Sequence, residues 1–391
     1  MPTQSRREFI VATAAGLGAL SVAGLSKRAL GADAKPMKIL FLGGTGFIGP
    51  HIIEHGRQRG HEFTLFNRGN RKEMFPDLEL IEGNRIVDIE PGLAPLEEQV
   101  KAGRTWDAII DTSNVHTWTE HSAKLLKGAA DRYLYVSSLS VYADASKERA
   151  EGAELATMPD EVADGIDRLP YDMTYFGAVK ARCEAAAERH FPGRALLVRP
   201  GLIVGPRDTS HRFNYWPLRI REGGEVLCPG DPTDPVMLID ARDLAKFIVT
   251  ALEKRATGPC NVNGPTSRDL TIGRLVNACK DATESDATFT WCDAQFLAER
   301  GINGWAQMPC WLPPVGAYAG FNKVNIDKAR AIGLTTRDLR ETAKATLAWF
   351  DDWSQGRPAE QGWIYQPGVN APGITRQREA EVLAEWHEHN G

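Results

Sequence analysis

The sequence predicts an α/β protein, a doubly wound parallel sheet with a smaller C-terminal substrate-binding region. Three observations lead there. Between Met37 and about Pro200, short apolar runs alternate with helix-like runs, which is how βαβ units are written. The first apolar run enters a glycine-spaced turn, Gly43-Gly44-Thr45-Gly46-Phe47-Ile48-Gly49, and a helix-like segment follows at once. The composition, 42% hydrophobic and 25% charged over 391 residues, is that of a globular chain long enough for a large core.

The elements follow in order. Strands are predicted over residues 38–42, 62–66, 108–111, 133–137 and 195–199. Helices lie between them, including one opening at Pro50-His51-Ile52-Ile53-Glu54, one over 117–128 and one over 175–190. On such sheets, ligands sit beyond the carboxyl ends of the strands, where Gly43, Asn67, Asp111 and Ser138 all fall. After Pro200 the chain turns rich in Gly, Pro, Arg and aromatic residues up to about 235, a composition suited to a substrate lid. Helical patterns return over 241–253, 271–282, 325–332 and 335–355. A loop-like tail then leads to a last helix over 376–389, capped by Thr375. The predicted division is a leader (1–34), a dinucleotide-binding domain (35–200), a mainly substrate-binding region (201–355) and a tail (356–391).

The leader reads as an export signal. Ser5-Arg6-Arg7-Glu8-Phe9-Ile10 is a twin-arginine pattern. An Ala- and Gly-rich apolar stretch follows over 11–25, and Ala32-Asp33-Ala34 is a small-x-small cleavage site. The stretch is short and glycine-rich for a membrane span, so cleavage and a periplasmic or other extracytoplasmic location are expected, with no membrane association afterwards. The net charge is −5, and residues 1–34 hold four basic and two acidic side chains, so the mature chain is more acidic still. With no basic tract outside the leader, a nucleic-acid partner is not expected. The six cysteines and nine histidines show no metal-ligand spacing, and no metal is expected. The one HxxEH string, His51 to His55, sits on the first helix and reads as surface.

The glycine turn carries the first chemistry. A dinucleotide pyrophosphate rests on a helix N-terminus there. Gly43 allows the tight turn, Gly46 lets backbone approach phosphate, and Gly49 lets the helix pack on the strand; Thr45, Phe47 and Ile48 complete the cradle. The second strand ends in Asn67-Arg68, where an acidic residue would hold the adenosine ribose hydroxyls. With an amide and a guanidinium there instead, the cofactor is read as NADP (or NAD). Asp111 at a strand end is a further candidate to line the cofactor cleft, with a helix-cap role for its segment as the alternative. Arg212, Tyr215, Trp216 and Arg219 are candidates to grip an acidic or sugar-like substrate by bidentate bonds and stacking, with structural ion pairing as the alternative. Asp240 and Asp243 read as turn and cap residues.

Five ordered motifs then carry a family resemblance: the glycine turn, Tyr135-Val136-Ser137-Ser138-Leu139-Ser140-Val141-Tyr142, the helix bearing Lys180, Arg199-Pro200-Gly201-Leu202-Ile203-Val204-Gly205-Pro206, and Leu238-Ile239-Asp240-Ala241-Arg242-Asp243. The chain resembles an extended short-chain dehydrogenase/reductase of the NAD-dependent epimerase/dehydratase kind, over about residues 37–350. Residues 208–230 also look like atypical members related to plastid RNA-associated proteins. The resemblance implies a Rossmann fold and hydride exchange between a sugar hydroxyl carbon and nicotinamide. It further implies that Pro200 lies at the cofactor and that members pair as homodimers. Its catalytic Ser and Lys map to Ser138 and Lys180.

Its tyrosine does not map. Four residues before Lys180 stands Phe176, which cannot carry a proton, and Tyr175 lies roughly 140° around the helix from Lys180. Three readings stay open: Tyr175 is swung in by a helical irregularity, Lys180 with Ser138 or another side chain moves the proton, or the protein binds a nucleotide without the usual chemistry. An exported enzyme also meets little free nicotinamide nucleotide, so a tightly bound, recycled cofactor and a carbohydrate or polyol substrate are expected.

Overall fold

The computed structural model describes residues 35–265, 270–355 and 365–390. The leader, and part of the tail before the last helix, lie outside them. Eleven strands are assigned: β1 (Lys38–Leu42), β2 (Glu62–Asn67), β3 (Glu79–Glu82), β4 (Trp106–Asp111), β5 (Ala130–Val136), β6 (Ala195–Pro200), β7 (Ile203–Val204), β8 (Glu225–Pro229), β9 (Ile239–Asp240), β10 (Gly258–Val262) and β11 (Thr288–Cys292). The helices are α1 (Gly49–Gln58), α2 (Ala94–Lys101), α3 (His116–Leu126), α4 (Asp160–Asp164), α5 (Phe176–His190), α6 (Tyr215–Arg221), α7 (Ala241–Glu253), α8 (Ile272–Thr283), α9 (Ala294–Glu299), α10 (Asp327–Ile332), α11 (Leu339–Gln355) and α12 (Arg376–Asn390).

Seven strands form one parallel sheet in the order β3-β2-β1-β4-β5-β6-β10. Its central strands are near-continuous apolar runs because helices cover both faces; in β1, Ile39 to Leu42 are all buried. One cluster beneath α1 and α7 gathers Ile39, Phe41, Ile53, Phe63 and Val249. The opposite face packs Leu40, Ile109, Tyr133 and Val179 under α3 and α5. The chain runs outward from β1 to β3 and returns on the other side of β1 as β4. The switch point therefore lies between β1 and β4, with Leu42 paired beside Asp111.

Beyond the expected boundary at residue 200, α7, β10 and α10 return to the main sheet and share its core. The smaller lobe has its own core, drawn from residues 202–238, 270–311 and parts of α11 and α12. Strands β3 and β10 at the sheet edges, and the pair β8–β11 in the small lobe, were not predicted. The expected helix cap holds, with Thr375 Oγ1 accepting from Arg378 N at 3.1 Å.

A buried network ties the third, second and fourth motifs together. Arg199 donates to both Glu184 oxygens at 2.9 and 2.6 Å and to Tyr142 Oη at 2.9 Å, and Tyr142 Oη donates to Asn261 at 2.6 Å. Both charges of the Arg199–Glu184 pair are 3% exposed, so each needs the other. All six cysteines are buried free thiols. Among the described residues no helix is long and apolar enough to cross a membrane.

Candidate active site

The glycine turn is built on two left-handed residues, Gly43 (φ +120°) and Gly44 (φ +94°), which reverse the chain at the end of β1. Gly49 is the close-approach position: a Cβ there would stand 2.2 Å from the Gly44 carbonyl oxygen. Gly46 is different, since a Cβ there would meet nothing within 4 Å. Its surface faces open cleft. Asn67 braces the turn, donating to Gly43 O at 2.8 Å and accepting from Gly69 N at 2.9 Å.

Two cavities meet over this turn, sharing Gly44, Gly46, Thr112 and Asn114. One, of about 530 Å³, is lined by Gly43, Thr45, Asn67, Arg68, Arg71 and Asn84. The other, of about 490 Å³, is lined by Phe47, Ile48, Gly49, Ser137, Ser138, Ser140, Phe176, Lys180, Pro200, Arg212, Trp305 and Phe321. Together they make one cleft along the carboxyl edge of the sheet, passing the N-terminus of α1. The fit to a dinucleotide rests on this open cradle at Gly46 and on the backbone amides that α1 leaves unpaired at its start.

Ser138 is extended (φ −159°, ψ 152°) and caps the short turn after β5. Its hydroxyl donates to Ser140 Oγ at 3.1 Å and accepts from Ser140 N at 3.1 Å. Lys180 is 2% exposed and donates to Val136 O (2.7 Å), Ser113 O (2.9 Å) and Asn114 Oδ1 (3.3 Å), over the Tyr135 ring. Burial lowers its pKa to about 8. Phe176 begins α5, one turn before Lys180, and its ring lines the cleft where a phenol would be needed.

Several expected site residues lie elsewhere. Tyr175 precedes α5 and packs against the apolar cluster under α3 and α5, outside the cleft lining, so no helical irregularity brings it in. Asp111 is fully buried and consumed by structure: Arg85 pairs with it, Tyr133 Oη donates at 2.6 Å, and Thr119 Oγ1 and Ser113 N donate as well. Tyr215, Trp216 and Arg219 sit on α6 inside the small-lobe core. Trp216 donates to Pro309 O at 2.7 Å, and Arg219 is neutralised by Glu379 of α12 at 2.6 Å. Only Arg212 of that group reaches the cleft. His51 Nε2 donates to the Pro206 carbonyl at 3.0 Å, a packing contact. Sequence reasoning missed Arg71, Thr112, Asn114, Trp305 and Phe321; the last two come from an irregular segment with no motif to flag them.

A family model described as the NAD dependent epimerase/dehydratase family matches residues 39–264. The chain belongs to this family. Members are NAD-dependent enzymes, and the cleft just described occupies the family's matched span together with Trp305 and Phe321 beyond it. A bovine (Bos taurus) relative, Epimerase family protein SDR39U1, is 27% identical over 228 residues, covering 56% of this chain and 70% of the relative. Among solved structures, the Bordetella bronchiseptica enzyme WbmG in complex with NAD and UDP superposes with a TM-score of 0.56. It is 19% identical, with 82% of this chain and 96% of that one covered. The Bacillus cereus UDP-N-acetylglucosamine 4-epimerase gives 0.57 at 16% identity, covering 80% and 99%. These two likenesses concern the fold.

One prediction follows from the Lys180 setting. The folded chain releases this proton near pH 8, whereas the unfolded chain holds it to 10.5. Between those values the unfolded state binds more protons, so stability rises with pH. Denaturant unfolding of wild type, measured relative to Lys180→Met, should show wild type gaining stability from about pH 8 to 10.5. Parallel curves would contradict the buried setting.

Proposed function

We propose that this chain is a nicotinamide-dependent oxidoreductase of the epimerase/dehydratase type acting on a compact carbohydrate or related polyol. One observation carries the reading: a single cleft runs past the N-terminus of α1 to a wall bearing Ser138 and Lys180. When bound, the nicotinamide supplies hydride exchange at a carbinol carbon of the substrate. Gly43 to Gly49 would hold its diphosphate, Asn67, Arg68 and Arg71 the adenosine end, and Thr112, Asn114 and Pro200 the other end. Lys180 closes the floor beneath it.

The proton must be handled without a phenol. Among the described lining residues, the hydroxyls of Ser137, Ser138 and Ser140 are the candidate proton carriers, and Lys180, lowered to about 8 by burial, lies beneath them with its protons on Ser113, Asn114 and Val136. Ser137 Oγ is buried, with no hydrogen-bond partner among the described residues. The smaller cavity must take both the reacting end of the cofactor and the substrate. A free or glycosidic sugar is taken in preference to a sugar nucleotide, the substrate class named for the solved neighbours. The twin-arginine leader supports the same choice, since export would part the enzyme from cytoplasmic sugar nucleotides and favour a cofactor retained through each turnover.

NADP is the preferred cofactor. The exposed guanidinium groups of Arg68 and Arg71 both line the adenosine end, and Arg71 donates to Thr45 O at 3.1 Å. A fork there suits a 2′-phosphate, although the solved neighbours were crystallised with NAD. The Arg68→Ala/Arg71→Ala variant should weaken NADP binding about tenfold or more and leave NAD binding within twofold, by titration calorimetry. Equal losses for both nucleotides would contradict the assignment.

A second reading, a binding protein that uses nucleotide structurally, is favoured by Phe176 alone. Phe176→Tyr separates the two in an assay with NADP and a panel of sugars. The proposed enzyme turns over in wild type and gains about 10²- to 10⁴-fold in the variant. Turnover in the variant alone would support the silent binder. Absence of nucleotide binding in both would end either reading.

A further inference from the structure

Arg212 differs from the other cation in its cavity. The cavity with Ser138 and Phe176 is lined by two charged side chains, Lys180 and Arg212, and by no carboxylate. Lys180 spends its three protons on Ser113, Asn114 and Val136. Arg212 has one bond, from Nε to Ser210 Oγ at 3.1 Å, and no carboxylate pairs with it among the described residues. Its two terminal amino groups are left for a ligand.

What holds it is a built support. Ser210 donates through N (2.9 Å) and Oγ (2.6 Å) to Asp208 Oδ1, and Asp208 is 2% exposed. The other Asp208 oxygen has no partner. Burial raises the Asp208 pKa, while Ser210 and the Arg212 charge act against that rise. The two residues that flank this turn take left-handed backbone, Arg207 at φ +74° and His211 at φ +56°. Such conformations cost free energy in non-glycine residues and persist where the surroundings enforce them. Here His211 is clasped by the rings of Phe350, Trp353 and Tyr365.

The wall beside Arg212 is also electropositive. Its guanidinium lies 5.6 Å from the centre of the Trp305 ring, Trp305 meets Phe321 edge-on at 5.6 Å, and Arg149 stacks over Phe321 at 4.1 Å. Arg149 is 3% exposed, has no carboxylate partner among the described residues, and is lowered to about 10 by burial. Two guanidinium groups without a paired carboxylate among the described residues thus flank that aromatic wall, with Asp208 acting on Arg212 through Ser210.

We infer that Asp208 and Ser210 position the Arg212 fork to bind an oxyanion of the substrate, so that this enzyme selects acidic sugars. The inference rests on the carbohydrate reading above and names its substrate class. Arg212 touches the ligand, and Asp208 acts through Ser210 as a positioning residue. A carboxylate and a phosphate both present the required pair of oxygens.

The test uses the full chain with saturating NADP, whose own binding is measured first. D-glucuronate, D-glucose 6-phosphate and D-glucose are titrated by calorimetry. Wild type should bind at least one anion about 10- to 100-fold more tightly than D-glucose, and the tighter of the two identifies the oxyanion. Arg212→Gln should remove that preference, with the anion affinity falling about 10- to 100-fold further than the D-glucose affinity. Arg212→Lys, which keeps the charge and loses the fork, should retain only part of it. Asp208→Asn should lose several-fold of anion affinity while NADP affinity stays unchanged, a split that general destabilisation would not give. Equal affinity of wild type for all three sugars, or an Arg212→Gln loss shared by D-glucose, would overturn the inference. Loss of NADP binding in wild type would instead overturn the reading beneath it.

Discussion

The approach of α1 to the end of β1 is the contact from which the functional geometry follows. Gly49 lies so close to the Gly44 carbonyl that a methyl group would sit 2.2 Å from its oxygen. That closeness aims the unpaired amides and positive pole of α1 at the crevice between β1 and β4. Asn67 locks the turn from β2, and Thr112 approaches from the end of β4, with its Oγ1 3.3 Å from where a Gly43 Cβ would stand. Three neighbouring strands thus fix one anion cradle, and everything along the cleft is placed relative to it.

At the far end of the cleft lie the residues to which the resemblance maps the family's serine and lysine. Ser138 and Lys180 both line the cleft, and the Arg199–Glu184–Tyr142–Asn261 network ties β6, β10 and α5 to the turn after β5. The aromatic ring of Phe176 keeps the shape of the wall and removes its acid–base group. Lys180 is buried against carbonyl oxygens, which suits it to hold the floor of the cleft and brings its proton into a useful range. On the proposed function, the fold would frame hydride exchange, and the proton would have to move without a phenol.

Much of this was legible in the sequence, for reasons of locality. The strand–glycine turn–helix run is contiguous, so its residues and its structure coincide. The parallel strands announce themselves because burial on both faces makes them apolar throughout. Phe176 and Lys180 were readable as a pair because helical spacing relates them. The failures are non-local. Asp111 sits at a strand end like a ligand-binding residue, yet Arg85, 26 positions earlier, folds back to neutralise it. Arg219 had structural ion pairing as its alternative reading, but its partner Glu379 comes from the last helix, 160 residues on. Trp216 looked like a stacking platform, but its indole is claimed by Pro309. Tyr175 fails for a simpler reason: it precedes the helix and turns toward the core. Strand β10 was unreadable because Gly258-Pro259 opens it at an edge, where proline is tolerated.

The most direct test of the account is nucleotide binding by Gly46→Glu. Gly46 faces open space and has no left-handed φ, so the substitution should leave the melting temperature within a degree or two of wild type. It should also place a carboxylate in the cradle, where it blocks and repels the diphosphate. Loss of NADP and NAD binding by at least about 100-fold, at unchanged stability, is the predicted result. Undiminished binding in a stable variant would contradict it, because the diphosphate could not then rest on the amides at the start of α1.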